Sequence, residues 1–376
     1  MAHLPFDYAV RNLGRRPLRA ILTAASSGLV VALLVATSAF VRGLESTFSG
    51  AARDDVAILL SRASEGDIVR SAISPAVSAH LHAVPGIVAV SGEVHMGTTL
   101  IAEGNPYAAF LRGVSDSAWS VHDSLTLTDG TLPSPGELLV GRLAASQMKA
   151  DPKLLAIGAT VEIEGAPMRI SGHFEAPGTT LEAEIWTPIG PLRGLAQRDD
   201  DSVVFAKLES DDLSALQLFV ARRQDLALSV MSATEYYRAL TEYFAPIQSM
   251  AWALALMIAA ASLFSGANTQ NAAVQDRMRE LATLRAMGYS SYALVRALTQ
   301  ESVLLAAAGG LLGVVLARLT LSGASFSIAM SAFALRVDAV AILVGIAAVL
   351  LLGLFGVLPA AWRVLRMPVA MALKET

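Results

Sequence analysis

The sequence predicts a membrane α-helical fold in which four transmembrane helices carry one mixed α/β domain, inserted between the first and second helices. Two observations support this prediction. Of the 376 residues, 54% are apolar and only 16% are charged, which is unusual for a soluble chain. In addition, four apolar runs are each long enough to cross the hydrocarbon layer, which needs about 20 residues at 1.5 Å per residue.

The four runs lack charges over most of their length. We assign transmembrane helices to residues 20–42, 246–268, 294–320 and 338–362. The third run is interrupted only by Arg296, Glu301 and Arg318, near its ends. For the first run a cleaved signal peptide is the alternative, because arginines precede it and residues 36–38 resemble a cleavage site. Its apolar core exceeds that of an ordinary signal peptide, which favours a retained helix.

Basic residues near the ends of the runs predict the orientation, since short loops rich in Lys and Arg stay in the cytoplasm. They cluster in the amphipathic segment 1–19, the loop 269–293 and the tail 363–376, at Arg11, Arg15, Arg16, Arg19, Arg277, Arg279, Arg285, Arg363, Arg366 and Lys374. We therefore expect both termini to be cytoplasmic. Residues 43–245 and the connection 321–337 then lie outside the cytoplasm.

The outside segment 43–245 is acidic, with 14 Lys and Arg against 26 Asp and Glu. It is long enough to bury a core without disulfides, and the chain contains no cysteine to form one. No basic stripe interleaved with aromatic residues runs through it, so we predict no nucleic-acid partner.

The ends of this segment predict helical stalks. Ser232 and Glu235 are spaced as a capping box, in which each side chain accepts a hydrogen bond from the other residue's backbone N–H. Aromatic residues then recur at helical spacing towards the second transmembrane run, with Pro246 as a kink. A matching helix is expected over residues 43–52. Between the stalks, alternating apolar residues on both sides of 165–167 predict a hairpin.

No residues in the chain predict catalysis or metal binding. His80 and His82 are two positions apart and would point to different faces of a helix. The aspartates at 199–201 lack the glycine and the terminal glutamate of an EF-hand, so a solvated turn is expected. The remaining histidines of the domain fit no ligand pattern and are expected to be structural, namely His95, His122 and His173. We therefore predict no metal, no cofactor and no enzymatic activity.

Residues 276–289 predict an amphipathic helix in the cytoplasmic loop. Its apolar face comprises residues spaced by four, three and three positions, namely Val274, Met278, Leu281 and Leu284. Gly288 is a natural end for this helix. One interpretation is a linker helix that lies in the headgroup layer, and the other is a docking helix for a cytoplasmic partner. The periodicity alone favours the linker.

The third transmembrane run carries a stripe of small residues at four-residue spacing, namely Gly309, Gly313 and Ala317, with Gly310 beside them. Small residues at this spacing let two helices approach closely. The stripe therefore predicts packing against a second copy of the chain or against another helix of the same chain. Glu301, near the cytoplasmic end of this run, needs a local partner. Arg296 lies five residues away and is poorly placed on the same helix.

These motifs together resemble the FtsX-like permeases, the membrane subunits of ABC transporters of the MacB, LolC and LolE type, and the DevC-like branch in particular. The strongest similarity lies in Arg-Glu-Leu-Ala-Thr-Leu-Arg-Ala-Met-Gly-Tyr at 279–289, with Gln300, Glu301 and the glycines at 309–313. Residues 11–13 and 359–373 resemble the two ends of the family's sequences. Residues 130–137, 157–158 and 171–175 resemble its MacB-like periplasmic region.

The resemblance implies a bacterial inner-membrane protein with a MacB-like domain between its first two transmembrane helices. It also implies that two permeases, copies or paralogues, pair in the lipid bilayer and that each docks a separate ATPase. ATP-driven closure would then pass up the stalks to the outside domains by mechanotransmission. The implied ATPase contacts are Arg279, Glu280, Leu281, Leu284, Arg285 and Gly288. The chain has no Gly-x-x-x-x-Gly-Lys-Ser/Thr loop for nucleotide phosphates, so ATP hydrolysis is expected on the partner.

Two functions follow from this resemblance. The first is a permease that extrudes or moves an amphipathic substrate such as a lipid, lipoprotein, glycolipid or peptide, with or without an outside adaptor of the membrane-fusion type. The second is a signalling coupler of the FtsX type, which moves no substrate and activates a periplasmic hydrolase. Couplers usually carry a smaller outside domain, so the length of 43–245 favours transport.

Overall fold

The computed structural model describes residues 17–321, 324–328, 331–335 and 337–366. The predicted N-terminal segment before residue 17 and most of the tail lie outside the described residues. The described residues form two compact units, a helical unit of residues 17–42, 246–321 and 337–366 and a sheet unit of residues 43–245 with the strands near 325–334.

The described helices are α1 (Pro17–Ala51), α2 (Ala76–Leu81), α3 (Ala118–Val121), α4 (Ala144–Met148), α5 (Ile189–Ala196), α6 (Ser214–Arg222), α7 (Ala233–Gln275), α8 (Met278–Ala286), α9 (Ser291–Leu321), α10 (Ala339–Phe355) and α11 (Leu358–Leu365). The described strands are β1 (Val56–Ser61), β2 (Ile87–Ala102), β3 (Asn105–Val114), β4 (Thr126–Gly130), β5 (Glu137–Gly141), β6 (Thr160–Ile163), β7 (Ala166–Glu175), β8 (Ile185–Pro188), β9 (Val203–Leu208), β10 (Leu228–Ser232), β11 (Ser325–Ile328) and β12 (Ser331–Ala334). Single 3-10 turns occur at Arg62–Ser64, Pro152–Leu155, Thr180–Ala183 and Gln224–Leu226.

Within the described residues, four helical segments are long and apolar enough to cross a membrane. They are Ala20–Ala51, Ala233–Gln275, Ser291–Leu321 and Ala339–Leu365. The helices themselves agree with the four predicted runs, whereas the exact boundaries of the spans stay a prediction.

Both predicted stalk helices are present, as continuations of α1 and α7. The predicted capping box starts α7, because the backbone N–H of Glu235 donates to Ser232 Oγ at 3.0 Å and that of Ser232 donates to Glu235 Oε2 at 3.0 Å. Pro246 lies inside α7 without ending it. In the sheet unit the two helices contact each other through Phe48, whose ring lies 6.4 Å from that of Tyr237 and 5.7 Å from that of Phe244.

The fourth apolar run is not one uninterrupted helix. α10 ends at Phe355 and α11 begins at Leu358. Proline has no backbone N–H and its ring clashes with the carbonyl four residues earlier, so Pro359 disfavours an unbroken helix past Phe355. At the other end, Asp338 caps α10 by accepting a hydrogen bond from the Ala341 N–H at 2.9 Å, and Arg42 donates to its second oxygen at 2.5 Å.

The small-residue stripe of α9 packs against helices of the same chain. A Cβ added to Gly309 would collide with the carbonyl oxygen of Ala24, and one added to Gly313 would collide with that of Gly28. A Cβ added to Gly310 would collide with the side chain of Val349 in α10. Ala317 is 3% exposed. The stripe is therefore covered by α1 and α10, and a second copy of the chain would have to contact another surface.

We predict that Gly309→Val lowers the free energy of unfolding by about 3 kcal/mol, because its side chain would meet backbone that cannot move aside. The matched control is Gly266→Val in α7, where an added Cβ has no atom within 4 Å. Denaturant titration of the full chain in detergent measures both variants. Equal losses would mean that valine in a membrane helix, and not the close approach, causes the effect.

The sheet unit is built on one sheet, which within the described residues has ten strands in the order β10-β1-β9-β2-β3-β8-β5-β7-β4, with β6 paired to β2 and β7. The pairs β3–β8 and β5–β7 are parallel and the other pairs are antiparallel. Neighbouring residues of a strand point to opposite faces, so Leu138 and Leu139 of β5 enter two different hydrophobic clusters.

Three sequence expectations need correction or extension in this unit. The predicted hairpin is β6–β7, but Ala166 and Pro167 belong to the strand and the turn is Glu164–Gly165. The expected solvated turn at 199–201 is wrong for Asp201, which is 1% exposed and pairs with Arg193. The connection 321–337 contains the antiparallel hairpin β11–β12, which the sequence did not predict.

Candidate partner-docking site

The predicted amphipathic helix of the cytoplasmic loop is α8, a short helix between two long ones. α7 ends at Gln275, and α8 spans Met278–Ala286. Gly288 has φ of +98°, a conformation that glycine adopts without strain, and its N–H donates to the Arg285 carbonyl at 3.0 Å. Ser290 Oγ then accepts from the Ala293 N–H at 3.2 Å and begins α9.

The apolar face of α8 is covered by protein of the helical unit. Leu281 and Ala282 are 3% and 0% exposed. They form one cluster with residues of α7, α9 and α11, namely Val274, Leu294, Leu298, Val357, Ala360 and Val364, against which Met278 and Leu284 also pack. Because most of this face is covered, only part of it is left to contact lipid headgroups. The linker and the docking interpretations both stay predictions.

The outer face of α8 is polar and exposed. Arg279, Glu280 and Gly288 are exposed, whereas Leu284 and Arg285 are half-buried. Thr283 and Met287 lie three and seven positions after Glu280, on the same side of the helix, and Met287 is 64% exposed. Leu281 offers no surface to a partner, so its part in any docking is to hold the helix in place. We call Glu280, Thr283 and Met287 the outer face of α8.

An ion pair anchors the start of α8 to α9. Arg277 Nη2 donates to Glu301 Oε1 at 3.1 Å and to Oε2 at 3.3 Å, and the two side chains are only 11% and 12% exposed. Arg277 is therefore a partner that Glu301 was expected to need, and Arg296 is exposed. Ion pairs that are largely removed from water are costly to break, so the pair couples the position of α8 to that of α9.

A cavity of about 380 Å³ opens among four helices of the helical unit. Its lining combines apolar residues such as Leu22 and Leu263 with hydroxyl groups from α1, α7 and α9, among them Ser26, Ser262 and Ser302. Ser26 Oγ and Ser262 Oγ lie 3.3 Å apart. None of the lining residues is charged. The cavity therefore combines apolar walls with uncharged polar groups.

The sheet unit contains a buried ionic network that the sequence did not predict. The Arg112 guanidinium donates to Glu93 Oε2 at 2.9 Å and to Glu184 Oε1 at 2.8 Å. Trp186 Nε1 donates to Glu184 Oε2 at 2.9 Å, and His122 Nε2 lies 2.7 Å from Glu93 Oε1. Glu93 is 0% exposed, and Arg112 is 3% exposed. The network joins β2, β3, β8 and the residue after α3.

His95 and Glu93 have lowered pKa values for different reasons. Burial lowers the pKa of His95, and the nearby charge of Arg112 lowers it further. Burial alone would raise the pKa of Glu93, but His122 and Arg112 more than offset it and hold that pKa well below its usual range. His95 is therefore buried in its neutral form beside an ionised carboxylate.

We predict that the sheet unit loses stability as the pH falls from 7 to 5.5. The unfolded chain protonates His95 near pH 6.5 whereas the folded chain does so only at lower pH, so the unfolded state gains protons first. The expected loss is about 1 kcal/mol, and His95→Gln should abolish that part of it. Urea-dependent pulse proteolysis of the full chain at both pH values measures the difference. If the free energy of unfolding of His95→Gln fell between pH 7 and 5.5 by as much as that of the unmodified chain, the assignment to His95 would be contradicted.

Two other histidines of the sheet unit, His173 and His122, have structural surroundings. His173 Nε2 lies 2.8 Å from the Leu155 carbonyl oxygen, and His122 contacts Glu93. Among the residues that the structure describes, no three His, Asp or Glu side chains are grouped as a metal site would require.

Two protein-family models match this chain. The FtsX-like permease C-terminal model matches residues 252–369. The MacB-like periplasmic core domain model matches residues 20–217, and this second match alone covers just over half of the chain. The fold and the matches define a multi-pass membrane permease component. The chain belongs to the FtsX-like permeases of the MacB type. Permeases of this family form the membrane component of ABC systems and typically work with an ATPase partner.

Three solved structures are similar to part of this chain. The periplasmic region of MacB from Actinobacillus actinomycetemcomitans has a TM-score of 0.40 and 13% identity, over 51% of this chain and 94% of that one. The extracellular domain of the noncanonic ABC-type transporter YknZ from Gram-positive bacteria has a TM-score of 0.37 and 18% identity, over 47% and 100%. A domain of a putative permease from Porphyromonas gingivalis has a TM-score of 0.34 and 19% identity, over 47% and 88%. No curated protein matches the chain.

Proposed function

We propose that this chain is the permease subunit of an ABC transporter in the bacterial inner membrane, with both termini in the cytoplasm. A separate ATPase docks on the outer face of α8, and its ATP-driven closure changes the conformation of the outside domain. The observation that carries the proposal is the two-sided character of α8. One side is fixed in the helical unit, whereas the other presents Glu280, Thr283 and Met287 to solvent.

The anchoring of α8 supports a mechanical role. A force applied to its outer face would be transmitted to α9 through the buried cluster of Leu281 and through the ion pair of Arg277 with Glu301. α8 and α9 therefore move together. α1 and α7 each continue as one helix into the residues of the sheet unit, and their outer parts contact each other through Phe48. Helices of this kind transmit displacement because packed elements shift as rigid bodies.

The other proposed partners are a second permease and an outside adaptor. The stripe at Gly309 is covered within the chain, so a second permease, copy or paralogue, would pair through other helix surfaces. The exposed apolar side chains of α7, such as Met250, Leu254 and Phe264, offer one such surface and otherwise face lipid. An outside adaptor of the membrane-fusion type fits the proposal without being required by it.

We propose an amphipathic substrate such as a lipid, lipoprotein, glycolipid or peptide. The cavity lined by serines and leucines supports this class, since its lining combines apolar side chains with uncharged hydroxyl groups. The test is reconstitution of the chain with its co-purifying ATPase in lipid vesicles. We expect ATP hydrolysis that an amphipathic substrate stimulates and ATP-dependent loss of that substrate from the membrane. Stimulation only by an outside hydrolase, with no substrate moved, would replace transport by FtsX-like signalling.

A further inference from the structure

A second cavity of the helical unit has a different character from the one lined by serines. It is a groove of about 940 Å³ bounded by α11 and by parts of α7, α8 and α9. Its walls are apolar, for example Val295 and Leu358, and its polar lining includes Arg363, Arg366 and Asn271. None of the lining residues is acidic.

α11 exposes an interfacial pattern along this groove. Ala360 and Val364 are buried in the cluster below α8. On the other side Leu358 is 53% exposed and Trp362 is 58% exposed. Tryptophan beside arginine, directly after an apolar span, is typical of the boundary between hydrocarbon and headgroups. The groove therefore opens where lipid headgroups lie, at the end of α10 that the proposed orientation places in the cytoplasm.

Within the described residues, the two arginines of the groove have no acidic partner. The Arg366 guanidinium lies 4.1 Å from the centre of the Trp362 ring, which holds it in place through a cation–π contact. Arg363 lies beside the neutral side-chain amide of Gln275. Of the residues that the structure describes, no carboxylate forms an ion pair with either arginine.

A third observation concerns an unsatisfied polar atom. Asn271 Oδ1 is buried at the groove, and no described residue donates a hydrogen bond to it. A buried acceptor without a donor is destabilising unless a ligand supplies one. A hydroxyl group on a bound molecule would do so, and an unsubstituted phosphate dianion would not.

We propose that this groove binds an anionic phospholipid of the glycerol headgroup type. Arg363 and Arg366 bind the phosphate, for which the planar guanidinium is well suited. A headgroup hydroxyl donates to Asn271 Oδ1, and the acyl chains lie along Val295, Leu358 and Trp362. Basic pockets between membrane helices favour anionic lipids because their arginines offset the headgroup charge. The bound lipid would cover the apolar side of α11 and so stabilise the cluster that fixes α8.

Native mass spectrometry of the full detergent-solubilised chain tests this proposal, after incubation with phosphatidylglycerol or with phosphatidylcholine of the same acyl chains. We expect one phosphatidylglycerol retained per chain and little phosphatidylcholine. Arg363→Gln with Arg366→Gln should lower retention about tenfold or more, since it removes two charge-assisted donors. Arg363→Lys with Arg366→Lys should keep part of it, and this variant also shows whether the fold tolerates changes at these positions.

The matched control is Arg296→Gln with Arg318→Gln, which removes the same charge from exposed positions of α9 that do not line the groove. We expect it to retain phosphatidylglycerol like the unmodified chain. Equal retention of both lipids would overturn the proposal, and so would full retention by the Arg363→Gln, Arg366→Gln variant. Loss of the lipid whenever the ATPase is bound would assign the groove to that partner and also overturn it.

Discussion

Glu280→Arg combined with Met287→Asp is expected to abolish co-purification of the ATPase with the detergent-solubilised chain. Both side chains lie on the outer face of α8, where Glu280 is exposed and Met287 is 64% exposed. The first change reverses a charge that would face the partner, and the second places a carboxylate where an apolar contact is expected. Central interface residues of this kind cost about 2–4 kcal/mol each, so we expect at least about a 100-fold loss of affinity.

A matched control for this variant is Val69→Asp with Arg70→Glu in the sheet unit, which makes the same kinds of change at exposed positions. It should recover the ATPase like the unmodified chain. Quantitative mass spectrometry of affinity-purified material measures all three, and membrane extraction yields show whether each chain is inserted. Full recovery of the ATPase with the Glu280→Arg, Met287→Asp variant would refute docking at this face.

The second large effect is expected at Arg112, in the buried network of the sheet unit. Arg112→Met would leave Glu93 and Glu184 buried without their cation, and the two side chains are 0% and 6% exposed. Removing one partner of a buried ion pair costs about 3–5 kcal/mol, because the charge that remains loses that compensation. We expect the sheet unit of this variant to unfold at much lower urea concentration, measured by pulse proteolysis of the full chain.

Two further variants separate this mechanism from a simple packing defect. Replacing all three groups in Glu93→Gln, Arg112→Met and Glu184→Gln removes the uncompensated charge, so we expect it to recover a large part of the lost stability. Arg169→Met breaks only the exposed pair with Glu137, at 3.9 Å, and should cost less than about 1 kcal/mol. If the triple variant were no more stable than Arg112→Met, uncompensated charge would not explain the loss.

Local patterns in the sequence predicted much of α8. The spacing of Val274, Met278, Leu281 and Leu284 identified the face that becomes buried, because helical periodicity is a property of neighbouring residues. The capping box of Ser232 and Glu235 was readable for the same reason. The resemblance to the permease family supplied the interpretation as a docking helix, which periodicity alone did not favour.

Contacts between distant residues were not readable. Arg277 and Glu301 are separated by 24 positions, and only the turn between α8 and α9 brings them together. Glu93, Arg112 and Glu184 meet because β2 pairs with β3 and β3 with β8, and strand order cannot be read from one sequence. Asp201 was misjudged because three consecutive aspartates suggested a solvated turn, whereas its backbone pairs with Ile73 and its side chain with Arg193.

The helix break at Pro359 could have been predicted from the sequence. Hydropathy alone joined residues 338–362 into one span, since the apolar run is uninterrupted. Proline at the second position of a helix marks a new start, and Gly356 lies just before it. The break separates the spanning helix α10 from the interfacial helix α11 that lines the lipid groove.

The most direct test of the proposed coupling is a distance measurement by pulsed electron paramagnetic resonance on the assembled complex. The chain has no cysteine, so Lys153→Cys in the sheet unit and Arg318→Cys in the helical unit accept spin labels without competing sites. Labelled chain is diluted with unlabelled chain and reconstituted with the ATPase in lipid. We expect the distance distribution to shift between the nucleotide-free state and the state trapped with ATP and vanadate, and the Glu280→Arg, Met287→Asp variant to show no shift. The same distribution in both states, in a complex that hydrolyses ATP, would contradict the transmission of ATP-driven movement to the outside domain.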